Sequence, residues 1–362
     1  MFVYASDLHL SLNTWRSLPE VREDSLLSFK QLLDYCNDRT SDTICPLVLG
    51  GDVFDSVKMT PELLTAAIEI RNEYPHIPIY YINGNHDLIE PSWCSFFANS
   101  IHLGAQPSTL PGGEVVCGID FKLSEEFPEA VKKVYPGCDH LVIHQTLDVL
   151  SNNLPGSIDS TPLKNFSSVL SGDYHQFMVA GPFLSAGSTN RRSIAEDAGI
   201  AILVEGKTFG LLPLVNRPML ESLVGESVAG TLAMLDIEKA KSFNKFLEMH
   251  TKKIDGDPLE HYAYLKPLMK GIIVVRGEIT PDVKEQYIAE VDDRAYLLFV
   301  PDVKDSEEIT IDGATVAAAR SSKAYLLDML EQYPCSPEAK RMIQDYLAHP
   351  DKLIETVREK LS

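Results

Sequence analysis

Five polar turns, each set directly behind a short apolar run, constrain this chain more than any other feature of its sequence. Asp7-Leu8-His9 follows the run 2–6, Gly50-Gly51-Asp52-Val53-Phe54-Asp55 follows 46–50, and Gly84-Asn85-His86-Asp87 follows 77–82. His144-Gln145 follows Leu141-Val142-Ile143, and Gly172-Asp173-Tyr174-His175 follows 168–170. Apolar runs of this length, rich in β-branched residues, read as strands. Open α/β sheets gather ligands at the carboxyl ends of their strands, so the five turns can meet in one crevice. There they deliver three carboxylates (Asp7, Asp52, Asp173), three imidazoles (His9, His144, His175) and the carboxamide of Asn85. Such hard-to-borderline donors suit two divalent cations. Two ions side by side can clamp a phosphate and supply hydroxide for in-line attack.

The segments between the turns read as helices over 20–39 and 61–74, where Thr60-Pro61-Glu62 supplies a cap, a first-turn proline and an acid. Strands alternating with helices predict a layered α/β domain. A further strand is expected at 114–119, and 200–204 and 208–214 flank Glu205-Gly206-Lys207 as a hairpin. Beyond it, 220–262 reads as mostly helical. Strands at 270–275 and 294–300 around a helix near 282–287 suggest a small α/β cap. From Ser321 three short amphipathic helices follow, with Leu326, Leu330, Met342, Leu347, Leu353 and Val357 on apolar faces. The expected division is 1–215, 216–320 and 321–362.

Six scattered cysteines without a C-x-x-C pair speak against a zinc ribbon or disulfide framework and for a reduced, cytoplasmic setting. No apolar run approaches the roughly 20 residues of a membrane span, and the first residues lack the basic region of a signal peptide. The net charge of −20 argues against strong nucleic-acid binding by the chain alone. Residues 1–215 carry 13 basic against 26 acidic side chains, and 216–362 carry 19 against 26. Any DNA binding is therefore expected to be weak and salt-sensitive.

The motifs D-x-H, GD-x-x-D, GNHD, H and G-x-x-H, in this order, resemble those of the calcineurin-like metallophosphoesterases. Over about residues 1–215 the spacing and the Gly-Asp-Val-Phe-Asp segment are similar to the SbcD-type exonucleases, the nuclease subunits of double-strand-break repair complexes. Beyond that the resemblance is one of layout. It implies an α/β sandwich of two mixed sheets flanked by helices, a small α/β cap and C-terminal helices. The implied activity is a metal-dependent DNA exonuclease, with endonuclease action as an option.

By the same resemblance Asp7, His9 and His175 hold one metal, Asp52 bridges, and Asn85, His144 and Asp173 hold the other. His86 is then the general acid or transition-state stabiliser, steered by Asp87. Asp55 and Gln145 read as braces. The family usually has histidine where this chain has Asp173. The added carboxylate favours Mn²⁺ or Mg²⁺ over Zn²⁺, with a weakened second site as the alternative outcome. Arg191 and Arg192 are expected to contact DNA phosphate. Residues 321–362 are expected to dock on an SbcC-like, SMC-type ATPase. A homodimer is expected through 61–74 and 92–98, where Trp93, Phe96 and Phe97 cluster. The compact extension also suits a phage-encoded version acting in the host cytoplasm. Two rivals remain: a small-molecule phosphodiesterase or phosphatase of the same fold, and a structural subunit that has lost activity.

Overall fold

The N-terminal strands are apolar on both faces, and that dictates a layered fold. In the computed structural model, which describes residues 1–12, 18, 21–39, 43–191, 196, 199–250, 257–291 and 293–301, β1 (Phe2–Ala5) sends Val3 and Ala5 into one core and Phe2 and Tyr4 into another. β2 (Leu47–Gly50) and β3 (Ile79–Ile82) repeat the split: Leu47, Leu49, Ile79 and Tyr81 join the first core, Val48, Tyr80 and Ile82 the second. Successive side chains of a strand point to opposite faces, so these strands need a covering layer on each side.

α1 (Asp24–Arg39) covers the first face with Leu26, Phe29, Leu32 and Leu33, and α2 (Pro61–Asn72) adds Leu63 and Ala67. The cap predicted for α2 is present, with Thr60 Oγ1 accepting from the amide of Leu63 at 3.3 Å. The chain then forms β4 (Ser100–His102), β5 (Ser108–Thr109), β6 (Val115–Ile119), α3 (Phe127–Val131), β7 (His140–His144), α4 (Asp148–Ser151) and β8 (Val169–Gly172). β9 (Met178–Ala180), β10 (Phe183–Ser185), β11 (Ile200–Glu205) and β12 (Thr208–Pro213) follow.

Two six-stranded sheets result, ordered β12-β11-β1-β2-β3-β4 and β5-β6-β7-β8-β10-β9. β1 to β4 run parallel, as do β6, β7, β8 and β10, while β11, β12, β5 and β9 add antiparallel flanks. Phe2, Tyr4 and Val48 of one sheet pack against Val116, Val142, Leu170 and Leu184 of the other. Phe127, Val131 and Leu150 from α3 and α4 cover the outer face of the second sheet over Leu141, Ile143 and Val169. The architecture is an α/β sandwich of two mixed sheets flanked by helices.

A third, parallel sheet follows, β13-β14-β15, made of β13 (Met219–Leu223), β14 (Gly271–Gly277) and β15 (Ala295–Pro301). α5 (Val228–Met249) and α7 (Pro281–Val291) cover one face, and a single-turn α6 (Pro258–His261) lies between α5 and β14. The helical reading of 220–262 is corrected at its start. Met219, Leu220, Leu223 and Val224 happen to fall at helical spacing, yet 219–223 is a strand paired with β14. The other face of this sheet rests on Leu18 and Val21 through Ile272, Val274 and Val300. Arg217 fixes that junction, binding Asp24 with two nitrogens at 2.7 and 2.8 Å and donating to the carbonyls of Pro267 and Lys270.

The expected helical tail 321–362 lies outside the described residues. Among the described residues no helix is long and apolar enough to cross a membrane, and Cys36, Cys45, Cys94, Cys117 and Cys138 are free thiols in the interior. Of the three aromatics expected at an interface, Phe97 is core instead, stacked on Phe29.

Candidate metal centre

Because the parallel strands of both sheets end at one rim, the five turns meet there. Backbone hydrogen bonds sew them together. The amides of Asp7 and His9 donate to the carbonyls of Gly51 and Asp52 at 3.1 and 2.9 Å. The amide of Asp173 donates to Asp7 Oδ1 at 3.1 Å, and that of His86 to Asp52 Oδ1 at 2.9 Å. Asp7, His9, Asp52 and Asp173 all lie in the left-handed region, with φ of 54°, 47°, 48° and 73°. Non-glycine residues held there cost on the order of 1–3 kcal/mol each and concentrate at functional sites. Gly51 and Gly84 are needed for close approach, since a Cβ would strike the His144 ring at the first and the Asp52 carboxylate at the second.

Two ligand clusters share Asp7. Donor atoms of Asp7, His9 and His175 lie within 4.8 Å of one another, as do those of Asp7, Asp52 and His144. His175 Nε2 is 3.5 Å from Asp7 Oδ1. Asp52 Oδ2 stands between His9 Nε2 at 3.7 Å and His144 Nε2 at 3.4 Å, and Asn85 Oδ1 is 3.2 Å from His144 Nε2. Asp7, His9, Asp52 and His144 are buried.

Three observations test whether these residues fit a cation. His9 Nε2 and His175 Nε2 face each other at 3.1 Å, and two imidazole nitrogens bound to one ion are about 2.9–3.4 Å apart. Asp7 Oδ2 is buried and, among the described residues, has no hydrogen-bond partner, a costly state that a cation would relieve. Lastly, the imidazoles of the pocket, and His86 at its rim, are each fixed through Nδ1. His144 Nδ1 donates to the carbonyl of Gly50 at 2.7 Å and His86 Nδ1 to that of Asp55 at 3.0 Å. His9 Nδ1 meets Asp55 Oδ1 at 3.1 Å, and His175 Nδ1 meets Glu196 Oε1 at 3.3 Å. Carbonyls and carboxylates only accept, so Nδ1 carries a proton in each ring and Nε2 is the nitrogen left to ligate once any proton of its own is displaced. These buried Asp/His clusters fit a metal ion.

The clustered charges shift one another. Burial disfavours ionised Asp52, but His144, His9 and the His86 amide outweigh it and hold the carboxyl at about 2. Burial likewise raises the Asp7 carboxyl, yet His175, His144 and His9 together leave it below its ordinary value. The imidazoles respond in turn. Burial disfavours charge on His144, but Asp52, Asp7 and Asp173 push it up to about 10. Against burial, Asp7 and Glu196 push His175 to about 10 as well.

Asp7, His9, Asp52, Asn85, His144 and His175 are thus brought together. Asp173 belongs to neither cluster among the described residues. Its Oδ2 accepts from Thr146 N at 2.9 Å and Thr146 Oγ1 at 2.7 Å, while Oδ1 stays 3.9 Å from His144 Nε2. His86 sits at the open rim, its side chain 42% exposed and Nε2 4.0 Å from Asp52 Oδ2. The expectation that Asp87 steers His86 is corrected. Its carboxylate accepts the amides of Gly84, Val53 and Phe54 at 2.7, 2.8 and 3.2 Å and so ties two ligand turns together. Burial first, and the charge of Asp52 next, push it up to about 6.

Arg191 faces the cap. Its amide donates to Asn216 Oδ1 at 2.7 Å and its guanidinium to the carbonyl of Met219 at 3.3 Å. Arg192 lies outside the described residues. Gln145 is a brace, donating to the carbonyl of Lys122 at 2.8 Å. Thr146 and Glu196 went unread in the sequence. Thr146 stands two residues past His144 in no motif, and nothing local marks Glu196, 21 residues past its partner His175. No protein-family model matches this chain, and no curated protein matches it significantly.

Proposed function

We propose that this chain is a metal-dependent phosphodiesterase that cuts DNA, with a calcineurin-like sandwich, acting as the SbcD-like subunit beside an SbcC-like ATPase. One observation carries the reading: three histidines from three turns, His9, His144 and His175, have Nδ1 tied to a carbonyl or carboxylate and Nε2 left for the buried pocket around Asp7 and Asp52. Asp7, His9 and His175 with Asp52 would hold one divalent cation. Asp52, Asn85 and His144, with Asp173 behind them, would hold a second. This mixed nitrogen and oxygen set suits Mn²⁺, with Mg²⁺ as the next candidate. When bound, such a pair supplies Lewis-acid polarisation of a phosphodiester and a nucleophile at neutral pH.

The chain's own residues do the rest. His86, its Nδ1 held by the Asp55 carbonyl, presents Nε2 at the rim where a substrate oxygen arrives, and can move a proton there. Its amide steadies Asp52, and Asp87 keeps the two ligand turns in register. Residues 321–362 are the proposed ATPase-docking segment, the exposed face around Trp93 and Phe96 the proposed homodimer contact, and the cytoplasm the proposed compartment.

The test is Mn²⁺-dependent cleavage of linear DNA. His86→Ala should lower turnover by about 10²–10⁴-fold while bound manganese, measured by mass spectrometry, is retained. Asp52→Ala should lose both. A His86→Ala protein as active as wild type sinks the assignment. A small-molecule phosphodiesterase is the second reading, favoured by the net charge of −20 and by the Arg191 guanidinium being engaged by Met219. Parallel assays on cyclic nucleotides and DNA separate the two.

A further inference from the structure

The two ligand clusters are not equally complete. Around Asp7, His9 and His175 every donor is in place, and both imidazoles are braced by carboxylates. Around His144 the donors are Asp7, Asp52 and the Asn85 carboxamide, with one carboxylate standing off. That carboxylate is Asp173, and Thr146 holds it with both its amide and its hydroxyl. Both bonds end on an anionic oxygen, the stronger kind of hydrogen bond. Asp173 Oδ1 is already 3.9 Å from His144 Nε2, but among the described residues it does not come within 4.8 Å of the Asp7, Asp52 and His144 donors together. Ligands on opposite sides of one Mn²⁺-sized ion are separated by about 4.4 Å at most, so Asp173 must swing inward before it can share a cation with Asp52. Its backbone, at φ 73°, already occupies the strained left-handed region and offers little further adjustment. Movement therefore falls to the side chain, which is 27% exposed, at the expense of its bonds to Thr146.

We propose that Thr146 latches Asp173 away from the second cluster, so that the centre fills in two unequal steps. This rests on the metal-centre reading above. The first cation is held tightly by Asp7, His9 and His175. The second is held loosely by Asp52, Asn85 and His144 until Asp173 leaves Thr146 and closes on it. Thr146 thereby sets the cation concentration at which the pair assembles.

The experiment is titration of the full chain with Mn²⁺ alone, followed by calorimetry and by electron paramagnetic resonance, which separates isolated Mn²⁺ from an exchange-coupled pair. Wild type should bind one tight equivalent, with a second at least about tenfold weaker. Thr146→Val removes the hydroxyl donor and should tighten the second step by about three- to tenfold, leaving the first unchanged. Thr146→Ser keeps the hydroxyl and should match wild type. In an Asp173→Ala background the second step should weaken, and Thr146→Val should then have no effect. Thermal unfolding in chelator checks that each variant is folded. Two equally tight equivalents in wild type, or a Thr146→Val protein whose second step is unchanged or weaker, overturns the latch alone. Failure to bind any Mn²⁺ overturns the metal centre and the latch together.

Discussion

Nδ1 of His9 lies 3.1 Å from Oδ1 of Asp55, and the main-chain carbonyl of the same aspartate takes Nδ1 of His86. One residue thus orients a candidate cation ligand with its side chain and the rim histidine with its backbone. The two rings meet edge to face with centroids 5.0 Å apart. Asp55→Asn keeps the carbonyl and removes only the carboxylate. Manganese affinity should fall about 10- to 100-fold, the usual loss when a ligand's outer partner is removed. Turnover at saturating Mn²⁺ should recover, because His86 keeps its own bond. Cleavage rate measured against Mn²⁺ concentration decides it, and a rate that stays depressed at saturation would place Asp55 in the chemistry itself.

The clustered charges make stability depend on pH differently in the metal-free and metal-loaded protein. Without metal, His144 and His175 have pKa values raised from 6.5 to about 10. A group whose folded value is raised stabilises fully below its unfolded value, and that contribution is lost as pH climbs through the folded one. In chelator the melting temperature should therefore fall steadily from pH 6.5 to 8.5. With Mn²⁺ bound both imidazoles must be neutral, so binding releases protons and tightens as pH rises. The metal-loaded melting temperature should then hold or increase over the same window. Scanning calorimetry in both conditions is the check, and parallel declines would mean the protons on the two histidines are not displaced by a cation.

The convergence of the candidate ligands was legible because each member sits in a turn directly behind an apolar run, so that local sequence and strand polarity together predict it. Asp7, His9, Asp52, Asn85, His144 and His175 all meet as the motifs imply. What supports them was not legible. Thr146 and Glu196 act through contacts made only once separate turns have folded together, and Asp87 reads as a partner of its neighbour His86 although its three bonds go to other backbone amides. The sheet cores were readable from apolar runs of four to six residues. β5, β9 and β10 were not, since two or three residues carry too little alternation to register. β13 misled for the opposite reason, its apolar residues being spaced as a helix would space them.

The same gap between spacing and environment separates Phe96 from Phe97. The two are neighbours in sequence, yet Phe97 is 2% exposed and packs between Phe29 and Phe54, with ring centroids 5.5 and 5.9 Å away. Phe96 is 51% exposed and, among the described residues, stacks on Trp93 alone, at 5.8 Å. Phe97→Ala should leave a cavity beneath α1 and cost about 3–5 kcal/mol of stability, read as a lower denaturant midpoint. Phe96→Asp touches no packed core and should change stability within about 0.5 kcal/mol. If this face carries the homodimer, however, Phe96→Asp buries a charge at the contact and should drive the protein to monomer in sedimentation velocity. A Phe96→Asp protein that dimerises as tightly as wild type would remove this face from the interface and leave its exposed aromatics free for another partner.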